Sequence, residues 1–310
     1  MKLETPRVVR ITPTELTRLG KTDLSDHLER SRLLLFPTSP IARPSADDVR
    51  FLRDETPRYH KKKNVSFYPE VGRVVGLGGP ASVQERAARI LEAHHGRVEA
   101  FLESVLPTFR TGWTSGTSSL RAFEERGRRI DKRKASELVH IDAGAYGATH
   151  GALILRFFTN LDENERVWRI KGTVGSLVQK YGDDAGIGRA ELLDERPLDR
   201  VRKHVIRGLS TLTPMARSLD SSPYDRAMRR LHNYMKESDT FQASPEGAVE
   251  VRFPPGSSWI VFADMTGHAC TRGRLMIVDT FLIPRENFRR AELTPYEELR
   301  SFARAHAGAL

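Results

Sequence analysis

The sequence of 310 residues contains a single cysteine, Cys270, and no long hydrophobic run. One thiol cannot form a disulfide framework within the chain and fits a reducing compartment. Apolar stretches such as residues 151–155 end at a charged residue, well short of the roughly 18 residues that span a bilayer. The opening MKLETPRVVRITPTEL is charged from its second position and lacks the apolar core of an export signal. These absences predict a cytoplasmic protein.

Motifs for nucleotides and nucleic acids are also missing. There is no Walker loop, no GxGxxG after a predicted strand, no zinc finger and no RNP-like aromatic motif. The net charge of +10, from 50 Lys+Arg against 40 Asp+Glu, favours an anionic partner but does not select one. We expect no nucleic-acid partner. Basic residues concentrate at 60–63 and at 126–134, where they are Arg126, Arg128, Arg129, Lys132, Arg133 and Lys134.

The order of predicted elements favours a mainly β fold with flanking helices. Apolar spacing predicts a helix over Ser82–Leu106, and the sequence SSPYD predicts a second helix that begins at Pro223. Predicted strands follow at Leu138–Asp142, Ala152–Thr159, Arg166–Ile170, Val249–Phe253, Trp259–Ala263 and Leu275–Ile283. This layout indicates an antiparallel barrel or jelly roll. We expect one catalytic domain over 1–310, with a helical part at about 1–110, a jelly-roll core at about 111–290 and a helical insertion at about 172–240. The polar segment Gly182–Arg202 is the candidate for a mobile flap.

His140 and Asp142, in the sequence LVHID, are the sharpest signal for chemistry. Residues two apart on a strand face the same side, so both could bind one metal ion. With His268, which follows SWIVFADMTG, they would form a two-histidine, one-carboxylate triad that suits iron(II) and leaves positions open for a cosubstrate and O2. From spacing alone, the alternative is a buried histidine with satisfied hydrogen bonds and a carboxylate at a strand edge.

The remaining candidate histidines have weaker claims. His150, in the loop AGAYGATHG, competes as a third ligand but fits a substrate contact or a turn better. None of His94, His95, His204 and His232 has a carboxylate at ligand spacing, so we interpret all four as structural.

An oxygenase with such a triad needs a cation for the distal carboxylate of 2-oxoglutarate, preferably arginine because its planar fork donates two hydrogen bonds. Arg274, six residues after His268, and Arg156, in the middle of LILRFFTN, both qualify. An exposed hairpin position for Arg274 and a core ion pair for Arg156 are the structural alternatives.

Several strings together resemble the Kdo (3-deoxy-D-manno-oct-2-ulosonic acid) 3-hydroxylase family. They are HKKKNVSFYPEVGRVV, LVHIDAG, ILRFFTNLDENERVWRIKG, SPYDRAMRRLHNYMK and FPPGSSWIVFADMTGHACTRGRLMIVDTFLIP. They occur in the family's order and cover most of the chain beyond the first fifty residues. The resemblance implies a double-stranded β-helix (cupin-like jelly-roll) dioxygenase that uses iron(II), O2 and 2-oxoglutarate, with ascorbate as a possible reductant. Its implied reaction hydroxylates C3 of Kdo in Kdo-lipid A of lipopolysaccharide, giving Ko, succinate and CO2.

The resemblance also implies roles for particular residues. His140, Asp142 and His268 would bind iron. Arg156 and Asn160 join Arg274 as candidates for binding the cosubstrate. The candidates for binding the substrate are Arg166, Trp168, Arg169, Arg133 and Lys134. The loop AGAYGATHG and the hairpin CTRGR depart from the family's usual pattern, in which an aromatic often follows the HxDA core and a Ser-Gly-Gln turn is frequent.

Cys270, two residues after His268, is interpreted as a packing residue that nearby iron chemistry could oxidise. The expected partner is Kdo-lipid A at the cytoplasmic face of the inner membrane, with peripheral membrane contact through the basic residues; a homo-oligomer stays open. The alternatives are an oxygenase for another anionic sugar or lipid, a cupin-like metal-dependent isomerase or lyase, and a non-catalytic barrel that binds lipopolysaccharide or nucleic acid.

Overall fold

The computed structural model describes residues 2–19, 24–127, 131–144, 148–187 and 222–307. The described helices are α1 (Pro13–Leu19), α2 (Ser25–Glu29), α3 (Ala46–Arg50), α4 (Ala81–Val105), α5 (Val174–Tyr181), α6 (Pro223–Glu237), α7 (Asp239–Ala243) and α8 (Pro295–Ala307). Among them α4 is the longest. It ends at the residue before Leu106-Pro107, where proline disfavours continuation of the helix.

Eleven strands are described, in two sheets. They are β1 (Val8–Arg10), β2 (Leu33–Phe36), β3 (Val65–Tyr68), β4 (Arg73–Val75), β5 (Thr114–Arg121), β6 (Leu153–Asn160), β7 (Arg166–Thr173), β8 (Ala248–Phe253), β9 (Ser258–Phe262), β10 (Thr266–Arg272) and β11 (Met276–Ile283). The larger sheet has the order β1-β2-β9-β6-β11-β5-β3-β4, and the smaller sheet has the order β10-β7-β8. Apart from the parallel pair β1 and β2, neighbouring strands run antiparallel.

The two sheets pack face to face, as in a jelly roll. Phe158 and Trp259 of the larger sheet stack on each other and contact Trp168 and Phe253 of the smaller sheet. Because side chains alternate along a strand, the neighbours of these residues point to the opposite face of the larger sheet, where α4 packs. The space between the sheets is therefore separate from the space beneath α4.

The predicted elements agree with the structure in most places. The predicted α4 is shifted by one residue, and α6 begins at Pro223 behind a Ser222–Asp225 capping box. The N-terminal region is less helical than predicted, because β1 to β4 all lie within it and join the larger sheet. Residues 138–142 form no strand of their own, whereas β5 and β10 are strands that the sequence patterns did not predict. Residues 188–221, which contain His204, the centre of the predicted insertion and most of the proposed flap, lie outside the described residues.

No described helix combines the length and the apolar character needed to cross a bilayer.

A buried carboxylate connects α4 to the larger sheet. Asp279 on β11 is fully buried, and its two oxygens lie 3.0 Å from His94 Nδ1 and 2.9 Å from His95 Nδ1. His94 Nε2 lies 3.1 Å from the Thr159 hydroxyl on β6. Burial alone would raise the pKa of Asp279, but the two histidines outweigh this effect and lower the pKa to about 2. The two histidines interpreted as structural thus hold α4 against the strands.

Replacing Asp279 with Asn should reduce the free energy of unfolding at neutral pH by about 2 kcal/mol, since the ionised carboxylate is stabilised only in the folded state. A depressed folded-state pKa gives stability that is present above the ordinary value of 3.8 and is lost as the pH falls to about 2. The difference between wild type and Asp279→Asn should therefore shrink across that interval in urea titrations. The exposed Asp54→Asn is the control and should follow wild type within about 0.5 kcal/mol. A difference independent of pH would contradict this assignment.

Candidate active site

The segment that carries His140 and Asp142 lies against β10. His140 and His268 form an isolated antiparallel bridge, with N–O distances of 3.0 and 2.8 Å in the two directions. The backbone N–H of Asp142 then donates to the carbonyl of Ala263, at 2.8 Å. These bonds bring residues separated by more than a hundred positions in sequence to one point between the two sheets.

Three side chains meet at this point. One ligand atom from each of His140, Asp142 and His268 lies within 4.8 Å of the others. His140 Nε2 is 3.8 Å from Asp142 Oδ1, and the two imidazole centroids are 4.8 Å apart. All three residues are buried.

The orientation of both imidazoles is set by backbone carbonyls. His140 Nδ1 lies 2.7 Å from the carbonyl of Leu138, and His268 Nδ1 lies 3.0 Å from the carbonyl of Thr266. Since a carbonyl only accepts, each Nδ1 carries the proton and each Nε2 keeps its lone pair. The two rings are thus in the tautomer that binds a metal through Nε2.

The protonation states of the three groups also suit a metal. Burial lowers the pKa of His140 well below its usual value, with a further contribution from His268, and burial likewise lowers the pKa of His268. Burial would raise the pKa of Asp142, but Arg156 and the other nearby cationic groups bring it below its usual value. Neutral imidazoles and an ionised carboxylate are the forms that bind metal ions.

Arg156 is the close partner of the carboxylate. It lies on β6, is 6% exposed, and its Nε is 2.9 Å from Asp142 Oδ2. Oδ2 has no hydrogen-bond partner of good geometry in the structure and is buried. Arg156 therefore balances the charge at Oδ2, and Oδ1 is the oxygen that faces His140 in the triad.

The small cavity around the triad contains a second arginine. Besides the triad and Arg156, its lining consists of Arg121, Ser136, Phe158, Trp168 and Cys270. Trp168 stacks on His268 with 5.1 Å between ring centroids and an interplanar angle of 20°. The aromatic wall limits water at one side of the triad, and Arg121 and Arg156 add positive charge.

Several residues predicted from the sequence lie elsewhere. Arg274 is exposed, does not line the cavity, and its Nε approaches the carbonyl of Ala122 at 3.4 Å. Asn160 is buried and donates to the carbonyls of Asn164, Phe253 and Pro254 at 3.0–3.2 Å. The structure therefore brings neither residue to the triad.

The predicted substrate-binding residues on β7 differ in their positions. Arg166 is fully buried behind the cavity wall, where its Nη1 lies 2.8 Å from Cys270 Sγ. Arg169 donates to the carbonyls of Gln242 and Ser244 at 2.8 and 2.6 Å. Of the three, only Trp168 lines the cavity. Both arginines support surrounding structure.

The basic segment 132–134 precedes the cavity residue Ser136 and does not itself line the cavity. Arg133 and Lys134 are exposed; Arg133 Nε lies 2.5 Å from Glu237 Oε1, and Lys132 Nζ lies 3.0 Å from Asp239. Ser136 itself lines the cavity and accepts a hydrogen bond from the N–H of Cys270. Arg128 and Arg129 lie outside the described residues.

Two further histidines lie outside the triad. His150 does not join the triad: its ring lies 3.9 Å from the carboxylate of Asp225 on α6. His232, interpreted as structural, lies edge-on to His140 with 5.2 Å between ring centroids. Its Nδ1 is 2.6 Å from the carbonyl of Ile141, so it supports the backbone between the two candidate ligands.

Arg121 is the charged cavity residue that the sequence analysis did not identify. It ends a Ser/Thr-rich stretch, TSGTSSLR, which has little of the apolar alternation that marks a strand. Its inward direction follows from its pairing with Met276 on β11. That pairing joins distant parts of the chain, so local sequence contained no signal for it.

The donor set fits iron(II). Two imidazole nitrogens and one carboxylate oxygen, clustered on one side of a cavity, are the ligands of iron(II) oxygenases that keep positions open for a cosubstrate and O2. The position of Asp142 Oδ1 near His140 Nε2 and the Nε2 lone pairs of both imidazoles agree with this donor set.

Comparisons with solved structures agree with the jelly-roll fold. An apo structure of the Kdo hydroxylase KdoO, a non-heme Fe(II) α-ketoglutarate-dependent dioxygenase, is 24% identical and superposes with a TM-score of 0.78 over 95% of both chains. KdoO in complex with succinate and Fe(III) is 23% identical, with a TM-score of 0.78 over 95% of this chain and 94% of that one. KdoO in complex with cobalt(II) is 23% identical, with a TM-score of 0.79 over 96% and 95%.

At these identities the structures establish the shared jelly-roll fold. Among curated protein sequences none matches the chain. The model of the 3-deoxy-D-manno-oct-2-ulosonic acid (Kdo) hydroxylase family matches residues 13–306. That match takes in the triad, both cavity arginines and nearly all of the described fold, and the chain belongs to the Kdo hydroxylase family.

Proposed function

We propose that this protein is an iron(II)- and 2-oxoglutarate-dependent dioxygenase that hydroxylates C3 of Kdo in Kdo-lipid A, giving Ko, succinate and CO2. The observation that carries the proposal is the meeting of His140, Asp142 and His268 in a cavity lined by two arginines. Membership of the Kdo hydroxylase family supports the sugar, and the names of the related structures support the cosubstrate and the metal.

In this proposal His140, Asp142 and His268 hold the iron. Bound iron would supply, with 2-oxoglutarate and O2, the oxidising power for hydroxylation of an unactivated carbon. The chain contributes position and environment. The carbonyls of Leu138 and Thr266 keep the imidazoles oriented, and Phe158 and Trp168 form an apolar wall that limits access of water.

We assign the distal carboxylate of 2-oxoglutarate to Arg121. Both Arg121 and Arg156 line the cavity, but Arg156 Nε already lies 2.9 Å from Asp142. Arg121 has a looser contact, with 3.8 Å between its Nη1 and Glu125 Oε1. In this assignment Arg156 neutralises the charge of Asp142. Asn160 stabilises the turn after β6 through its side-chain hydrogen bonds. Arg274 is an exposed side chain outside this arrangement.

The proposed substrate lies at the cytoplasmic face of the inner membrane, and the enzyme would bind that surface as a peripheral membrane protein. The exposed Lys134 and Arg133 precede the cavity residue Ser136 in sequence and would attract the carboxylates and phosphates of Kdo-lipid A. Trp168 is the proposed contact for the sugar within the cavity.

The decisive test of the reaction is succinate formation by purified protein with iron(II), ascorbate, O2 and 2-oxoglutarate, with and without Kdo-lipid A. We expect the lipid to stimulate succinate formation and a Ko-containing product to appear by mass spectrometry. His140→Ala should abolish both. His150→Asn should keep both, since the ring of His150 faces Asp225 rather than the triad. Metal binding without consumption of 2-oxoglutarate would instead indicate a cupin-like isomerase.

Arg121→Gln should raise the KM for 2-oxoglutarate about tenfold or more, because it removes a charge-assisted hydrogen bond in a buried site. The KM for Kdo-lipid A should change much less. Arg274→Gln is the matched control and should leave the KM for 2-oxoglutarate within about twofold of wild type. If Arg274→Gln instead raised the KM for 2-oxoglutarate and Arg121→Gln did not, Arg274 would be the residue that binds the cosubstrate.

Lys134→Glu should raise the KM for vesicle-embedded Kdo-lipid A by about fivefold, the effect expected of one cationic residue near an anionic surface, and high salt should remove the difference. The KM for 2-oxoglutarate should stay unchanged. Arg10→Glu, which makes the same charge change at an exposed position of β1, should behave as wild type. An equal effect of both variants would show that only net charge matters.

A further inference from the structure

A second concave site lies on the far side of the larger sheet. It is a cleft of about 410 Å³ between residues 43–48 and one face of α4. Four arginines line it: Arg43, Arg86, Arg89 and Arg97. We call this site the arginine cleft.

The acidic residues near the arginine cleft balance only one of its arginines. Asp48, the acidic residue in the lining, lies 3.0 Å from Arg86 and accepts from Ser45. Asp47 also pairs with Arg86, and with Arg50 outside the cleft. The cleft therefore keeps a positive excess.

The other three arginines have no such partner. In the described part of the chain, Arg43, Arg89 and Arg97 have neither an ion pair nor a hydrogen bond from their side chains. Arg97 is half-buried, and its Nε is inaccessible to solvent and has no acceptor. A buried donor without an acceptor is costly, as is the close approach of like charges. A bound anion would relieve both costs.

The spacing along α4 directs these residues into one site. Arg86, Arg89 and Arg97 recur at intervals of three and eight residues, which lie on one face of a helix. Between Arg89 and Arg97 the cleft is lined by Ala93, whose small side chain leaves room. Arg43 approaches from the opposite wall, beside the turn at Gly256. The guanidinium groups thus surround a space suited to a compact anion.

The arginine cleft is separated from the triad by β6. Thr159 faces α4, where its hydroxyl meets His94, whereas its neighbour Phe158 faces the cavity. A ligand in the cleft cannot at the same time contact the iron ligands.

We propose that the arginine cleft binds a phosphate monoester group. A phosphate monoester carries up to two negative charges and three acceptor oxygens, and arginine forks match its geometry. Three unpaired arginines around one small space suit a compact dianion better than a single carboxylate. The assignment rests on the cleft alone and is independent of the proposed hydroxylase reaction.

The test is calorimetric titration of the full chain with inorganic phosphate in chloride buffer, followed by sedimentation with vesicles. The vesicles contain phosphatidylcholine alone or with phosphatidic acid, a lipid phosphate monoester. The variants are Arg89→Gln, which changes an exposed side chain, and Arg89→Gln/Arg97→Gln. Arg304→Gln on α8 is the matched control. Thermal unfolding checks that each variant is folded.

Wild type and Arg304→Gln should bind phosphate with equal affinity, Arg89→Gln should bind about tenfold more weakly, and the double variant should not bind detectably. Retention on phosphatidic acid vesicles that is lost with Arg89→Gln would assign the site to a membrane lipid. Phosphate binding without retention would assign it to a soluble phosphate ester. Absence of phosphate binding in wild type, or an affinity unchanged in Arg89→Gln, would overturn the proposal.

Discussion

Two reciprocal backbone hydrogen bonds between His140 and His268 determine the geometry of the candidate active site. They attach the irregular segment 138–142 to β10 and place His140 of the segment beside His268 of the strand. The segment is too short to be stable alone, and its other anchors are tertiary: the N–H of Val139 donates to Gln242, and the carbonyl of Ile141 accepts from His232. Both partners belong to the helical region before β8. The metal site therefore depends on how α6 and α7 pack against the barrel.

Buried charge is the second constraint. Asp142 and Arg156 are both under 10% exposed, and removing either one would leave the other charged and poorly solvated. Arg121 adds positive charge to the same cavity. Such a site is stabilised by a metal bound to the carboxylate together with an anion near the arginines. The cavity contains both a carboxylate and two guanidinium groups. It therefore favours a bound metal cation together with an anionic cosubstrate, whichever sugar is hydroxylated.

The sequence allowed prediction of the features that depend on local pattern and on the motif. The spacing of apolar residues predicted α4, the capping residues predicted the start of α6, and the HxD sequence with a distal histidine predicted the candidate ligands that the structure brings together. Features that depend on strand pairing were missed or misplaced. The Ser/Thr-rich β5 lacks the apolar alternation that would indicate the direction of Arg121. We expected Arg274 in the barrel, but the direction of a hairpin residue depends on bulges, such as the one between Cys270 and Arg272, which the sequence pattern does not show.

The two faces of helix α4 have different roles. Its buried face attaches to the sheet through His94 and His95, and its outer face contributes most of the arginine cleft. Because β6 lies between this cleft and the cavity, an anion in the cleft cannot contact the reacting carbon or the candidate iron ligands. One way in which it could influence the reaction is to keep the enzyme near a surface or molecule that bears phosphate, which raises the effective concentration of substrate. Such tethering changes the apparent KM for a surface-bound substrate and leaves kcat unaltered, whereas rearrangement transmitted through β6 would alter kcat as well.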